Sequence, residues 1–276
     1  LQVNDLRDRL APSNQRDWAA ELARLPYAQI DNDQVQLHNI RDLNYVTESD
    51  FVLEYDDRSF RLGDIQSVDY IVVPFQGMPL IAHTMLSFGM TGGEYIAVSA
   101  EIRNEKEEKY SPLLGISNQF EIMYVVASER DLIRLRTRHR DADVYIYPTI
   151  ATPEQAQALF VDIMRRANQL AEVPEFYHTL ANNCTTNLFD HVRQLQSANA
   201  ISPLQYGWQV LFTGYSDRLA YDAGLLKTNL SFEETKQLAY VNDLAEAHYD
   251  AADFSLQIRR RQLAMTAWPP SDNRSR

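Results

Sequence analysis

Four consecutive runs decide the fold: VDYIVV (Val68–Val73), PLIAHTMLSFGM (Pro79–Met90), TGGE (Thr91–Glu94) and YIAVSAEIR (Tyr95–Arg103). Val68–Val73 is β-branched and apolar, as a buried strand requires. The two longer runs flank a glycine-rich connection and read as a hairpin, with Gly92 and Gly93 supplying positive φ. FEIMYVVA (Phe120–Ala127) and DVYIYP (Asp143–Pro148) add further strands. Next, Thr152-Pro153-Glu154-Gln155 opens a helix: Thr152 caps, Pro153 suits the first turn and Gln155 completes a capping box. Leu159, Phe160, Ile163, Met164, Ala167 and Leu170 recur at three- and four-residue spacing and form its core face. The loop EVPEFYHTLANN (Glu172–Asn183) leads to Cys184 and a second helical pattern, TTNLFDHVRQLQ.

Upstream, residues 14–45 read as a short helix around Trp18–Leu25 followed by extended segments. Beyond Ser202 the pattern is mostly helical. No internal repeat and no Gly/Ser-rich linker interrupts the chain. The expectation is one domain over residues 1–276, with a catalytic core at about 68–195 and a mostly helical part at about 203–265. The fold class is α+β, a mainly antiparallel sheet packed with helices.

The 276 residues include 26 Lys and Arg against 38 Asp and Glu, a net charge of −12, which disfavours sequence-independent nucleic-acid binding. A single cysteine excludes an internal disulfide framework and multi-cysteine metal sites. No apolar run is long enough for a membrane-spanning helix. The first residue is Leu1, and LQVNDLRDRL lacks a signal pattern, so the chain reads as a processed or trimmed segment with any export signal or anchor upstream. The polar tail Trp268–Arg276 is expected to fray. Motifs for zinc proteases, nucleotide-binding loops and serine hydrolases are missing. Asp31–Asp33 lacks the spacing of a calcium loop, and no cofactor or metal is implied.

Cys184 is the sharpest candidate for chemistry. A thiol at a helix N-terminus meets the positive end of the dipole and unpaired N–H groups, which favour thiolate and can hold an oxyanion. Free cysteines are also commonly buried and inert, so position alone leaves both roles open. His83, in mid-strand, is the candidate base, and His178 in the loop before Cys184 is the runner-up. With the hairpin turn near Thr91–Gly92, His83 falls opposite Glu101 or its neighbour, with Ser99 diagonal on the same face. Opposed Cβ atoms lie about 4.5–5.5 Å apart, so Glu101 could orient the imidazole, while a one-residue slip would remove it. Asn183 is either an oxyanion donor or a cap, and Thr185 begins the helix beside the thiol. His191, two turns on, reads as surface or packing, and His38, His139 and His248 read as solvated. NEKEEK (Asn104–Lys109) reads as a solvated loop. ERDLIRLRTRHR (Glu129–Arg140) reads as an exposed edge with local ion pairs, or else as a contact for anionic headgroups.

Taken together, NQRDW, HNIRDLNY, SVDYIVVPF, IAHTMLSFGMTGGEY, SAEIR, FEIMYVVASERDLIRLRT, VYIYP, FYHTLANNCTTNL and DFSLQIR resemble the Lnb-type periplasmic domain of bacterial lipoprotein N-acyltransferases, over about Asn14–Arg260. A strand histidine preceding a helix-start cysteine also resembles the permuted papain-like superfamily, including NlpC/P60-related enzymes. The resemblance implies a Cys184 nucleophile, a His83 base and Glu101 as the acid. It implies a periplasmic enzyme that moves an acyl chain from a phospholipid, through a Cys184 thioester, to the N-terminal amine of a lipoprotein at a membrane surface. Tyr177, Phe176, Phe88, Met85 and Leu86 are candidates for an apolar groove. A thiol hydrolase of lipid or cell-wall substrates, and a non-catalytic lipid- or lipoprotein-binding module, are the competing readings.

Overall fold

The computed structural model describes residues 11–108, 119–179, 181–199 and 213–262. The opening decapeptide, the Trp268–Arg276 tail and residues 203–212 and 263–265 of the expected helical part lie outside them. Eight strands form one sheet: β1 (Tyr27–Asp31), β2 (Gln34–Tyr45), β3 (Phe51–Arg61), β4 (Ile65–Phe75), β5 (Met78–Met90), β6 (Tyr95–Arg103), β7 (Glu121–Ser128) and β8 (Tyr145–Pro148). Their order is β1-β2-β7-β6-β5-β4-β8, with β3 paired to β2. Every strand pairing is antiparallel except β2 with β7, which run parallel at Arg41↔Ala127. The class is α+β on a mixed, mainly antiparallel sheet.

The described helices are α1 (Glu129–Arg134), α2 (Pro153–Glu172), α3 (Cys184–Asn199), α4 (Ser216–Asp222), α5 (Phe232–Ala239), α6 (Asn242–Ala247) and α7 (Phe254–Gln257). Thr152 caps α2 with the reciprocal Gln155 box and Pro153 at its start. The expected helix around Trp18–Leu25 is only a three-residue 3-10 turn, Ala20–Leu22. Leu22 of that turn and Trp18 before it are buried by tertiary packing, and the Trp18 ring lies under the Arg103 guanidinium. Strand β3 has no counterpart among the sequence expectations: its alternation is half-exposed and charged, as an edge strand allows.

Side-chain alternation divides the sheet into two packed faces. On one, Phe88, Val98 and Tyr124 meet Leu159, Phe160 and Ile163 of α2 and Cys184 of α3 in the larger core. Phe88 and Phe160 stack edge to face at 5.4 Å. On the other, Met85, Ala97, Met123 and Val125 meet Leu132 and Ile133 of α1, Ala245 of α6 and Phe254 of α7. β7 has helices over both faces, so seven of its eight residues are buried.

Two buried ion clusters tie the second layer to the sheet. Arg41 of β2 grips Asp131 of α1 through two bonds of 2.8 and 2.9 Å, and Asp131 also accepts from the Leu43 N–H and the Tyr45 hydroxyl. Arg259, just past α7, bridges Asp69 of β4 at 2.7 Å and Glu129 of α1 at 2.8 Å. Among the described residues, no helix is long and apolar enough to cross a membrane.

Candidate active site

The site begins at a break in the sheet. The β5–β6 ladder runs from Gly89↔Tyr95 to Met85↔Ser99 and pairs no further. Its register centres the turn on Gly92, and Gly92 and Gly93 adopt φ of 100° and 87°. Extended past the last pair, that register sets His83 opposite Glu101. His83, Ser99 and Glu101 share the parity of Met85 and Ala97, so all three lie on the face covered by α1, α6 and α7. Cys184 belongs to the opposite core, with α2 and α3. The fork where β5 and β6 separate is where the thiol of one face meets the imidazole of the other.

The start of α3 holds the thiol in that fork. Asn183 Oδ1 accepts the Thr186 N–H at 2.9 Å, and the Asn183 N–H donates to Thr186 Oγ1 at 2.9 Å. The Asn183 amide donates to the Thr179 carbonyl at 2.7 Å. Both ends of that side chain are therefore engaged, and of its two candidate roles the geometry is that of a cap. Cys184 and Thr185 occupy the first two helical positions, whose N–H groups have no acceptor within the helix. Thr185 is fully buried beneath the thiol, its hydroxyl 3.8 Å from Cys184 Sγ and 3.1 Å from Thr84 Oγ1. The Thr84 backbone N–H hydrogen-bonds the sulfur.

Burial alone would raise the Cys184 thiol. The charge and hydrogen bond of His83, the Thr84 N–H and the Thr185 hydroxyl outweigh it and bring the thiol down to about 7. Burial likewise disfavours the imidazolium of His83, but the thiolate and Glu101 raise its pKa above the ordinary histidine value. His83 Nε2 stands 2.7 Å from Ser99 Oγ and 3.5 Å from Glu101 Oε1. With Nε2 so engaged, Nδ1 is the ring nitrogen left to exchange a proton with the thiol. Burial works against the Glu101 charge as well. The hydrogen bond from His83 and the Arg136 guanidinium, 3.0 Å from Oε1, nevertheless hold the carboxyl well below its usual range. Arg136, Glu101 and His83 thus stand in sequence, His83 and Cys184 each shift the other's pKa, and Ser99 holds the ring at Nε2.

Arg136 is absent from the residues singled out in the sequence. The arginine-rich segment carries two expectations, an exposed edge with local ion pairs or a contact for anionic headgroups, and both place its arginines at the surface. Arg138 and Arg140 fit that description, paired with Glu246 and Glu48. Arg134 and Arg136 do not, because both are buried. Arg136 sits in a π-helical turn, Leu135–His139, that continues α1 and aims the guanidinium at Glu101. The signal for its burial was the flanking Leu132, Ile133 and Leu135. Of the two readings of His191, surface or packing, the structure bears out packing: it is buried between Tyr124, 2.6 Å from Nε2, and Asp162, 2.6 Å from Nδ1. His38 is held by Asp57 at 3.0 Å and stacks on Tyr27. His178 folds its backbone into a turn with Asn182. Tyr177 is buried in the core that contains Cys184, and its N–H donates to the Phe120 carbonyl. Phe88 and Met85, expected near a groove, are fully packed core residues.

Compared with known proteins, residues 51–214 match the family model described as the Lnb N-terminal periplasmic domain. No curated protein and no solved structure matches the chain.

Proposed function

The chain belongs to the Lnb N-terminal periplasmic domain family, tied to lipoprotein processing, and from that premise we propose that it is a cysteine-dependent acyltransferase with a permuted papain-like core. Its donor is a phospholipid at the membrane surface and its acceptor is the N-terminal amine of a lipoprotein. The observation that carries this reading is the Cys184 thiol, brought to about 7 at a helix start where a strand histidine and the Thr84 N–H converge on it. A merely structural buried thiol would be pushed the other way.

The geometry supports the following steps. His83 takes the Cys184 proton, and Sγ attacks the ester carbonyl carbon. The N–H groups of Cys184 and Thr185 receive the oxyanion. The C–O bond breaks, the lysophospholipid alcohol leaves with the proton from His83, and the acyl group remains on Sγ. The lipoprotein amine then attacks the thioester, its proton passes to His83 and on to the departing thiolate, and an amide replaces the C–S bond. Glu101 stabilises the imidazolium formed in each half-reaction, and Arg136 keeps Glu101 ionised.

Incubation with labelled phospholipid is expected to leave an acyl group on wild-type Cys184 and none on Cys184→Ser. Addition of a diacylated lipopeptide should then move the label to the peptide amine. Release as free fatty acid despite the lipopeptide would instead identify a thiol hydrolase. Failure of any donor to acylate Cys184, with an alkylation rate no faster than an exposed model thiol, would leave the binding-module reading.

A further inference from the structure

An apolar cavity of about 140 Å³ lies between β4, β5, α2, α3 and α4, with Leu188, one helical turn beyond Cys184, in its lining. Tyr70 and Leu86 form its floor, Leu188 and Val192 one wall, and Leu219 the opposite wall, with Ile150 at the rim. Ile150 is half exposed, which places the mouth at the protein surface. The volume is close to that of a dry engineered cavity, about 150 Å³, that admits benzene.

Three relations join the cavity to Cys184. Tyr70 and Leu86 are cross-strand partners, and Leu86 follows Thr84 on the same face of β5. Thr84 is the residue whose N–H meets the thiol, and its hydroxyl hydrogen-bonds the Tyr70 hydroxyl. Leu188 and Val192 stand four and eight residues after Cys184, on the same stripe of α3, with Leu188 about 6 Å along the axis. None of the lining residues carries a charge.

We propose that this cavity receives the first methylenes of the acyl chain carried on Cys184, so that the enzyme measures its donor by a chain laid between α3 and α4. The proposal rests on the thioester reading above and adds to it the place and chemical class of the bound chain. It also replaces the expected groove residues: of the five, only Leu86 lines the cavity.

The test is acylation of Cys184 by p-nitrophenyl esters from acetyl to octanoyl, followed by intact mass. Wild-type rates should rise about fourfold per added methylene over the first few carbons and then level. Ala220→Phe, which fills the cavity from α4, should flatten that rise while leaving the acetyl rate within about twofold. Ile150→Trp at the exposed mouth should act similarly, and it serves if the first variant does not fold. Wild-type rates independent of chain length, or a steep rise retained in both variants, would overturn the acyl pocket while leaving the thioester chemistry standing. If even the acetyl ester leaves Cys184 unmodified, the acyltransfer reading itself fails.

Discussion

At the scale of single residues, the chemistry depends on a balance between burial and charge. Cys184 is nearly inaccessible, and burial opposes thiolate; the neighbouring imidazolium reverses that preference. The sign is direct: a thiol pKa of about 7 means the thiolate, and with it alkylation, grows as pH rises through 7. Iodoacetamide labelling of Cys184 should therefore show its midpoint near pH 7, below the ~8.5 of a free thiol. Glu101→Gln removes the charge that holds the imidazolium, so the His83 pKa falls and the thiol pKa rises. The labelling midpoint in that variant should move upward by about one pH unit. A midpoint unmoved in Glu101→Gln would show that the 3.5 Å contact does not govern the thiol.

At the scale of elements, the start of α3 and the end of the β5–β6 ladder must coincide. The helix cap sets the first and the register sets the second. Asn183→Ala loses the acceptor for the Thr186 N–H and the donor to Thr179, a cost of about 1 kcal/mol. Thermal denaturation should report a midpoint lower by about 2–4 °C. Much of this level was legible in advance. The period-two runs and the Gly92–Gly93 turn specified the hairpin, and the hairpin specified that Ser99 is diagonal to His83. The Thr152–Gln155 box marked the start of α2. The Trp18 segment was misread because its apolar residues are equally satisfied by a 3-10 turn whose Leu22 carbonyl is held by Arg103. Strand β3 escaped because an edge strand with one charged face carries little hydrophobic signal.

At the scale of the whole molecule, two layers of helix pack on one sheet, and the layer bearing α1, fastened by the two buried ion clusters, also delivers Arg136. Asp131→Ala would strand the Arg41 guanidinium in a buried site, at a cost of about 3–5 kcal/mol. Urea denaturation should show that loss, and the double variant Arg41→Met with Asp131→Leu should recover most of it, because neither charge is then left alone. The sequence by itself determined the α+β class, the hairpin and its turn and the cap that opens α2, and it marked the cysteine and the strand histidine as candidates. These follow from periodicity, glycine conformation and capping, which act over a few neighbouring residues. Only the tertiary structure decided that β5 and β6 part after Met85↔Ser99, that Arg136 turns inward onto Glu101, and that an apolar cavity opens between β4, β5, α2, α3 and α4. Each of those depends on segments distant in the chain packing against one another, and local preference carries no term for such contacts.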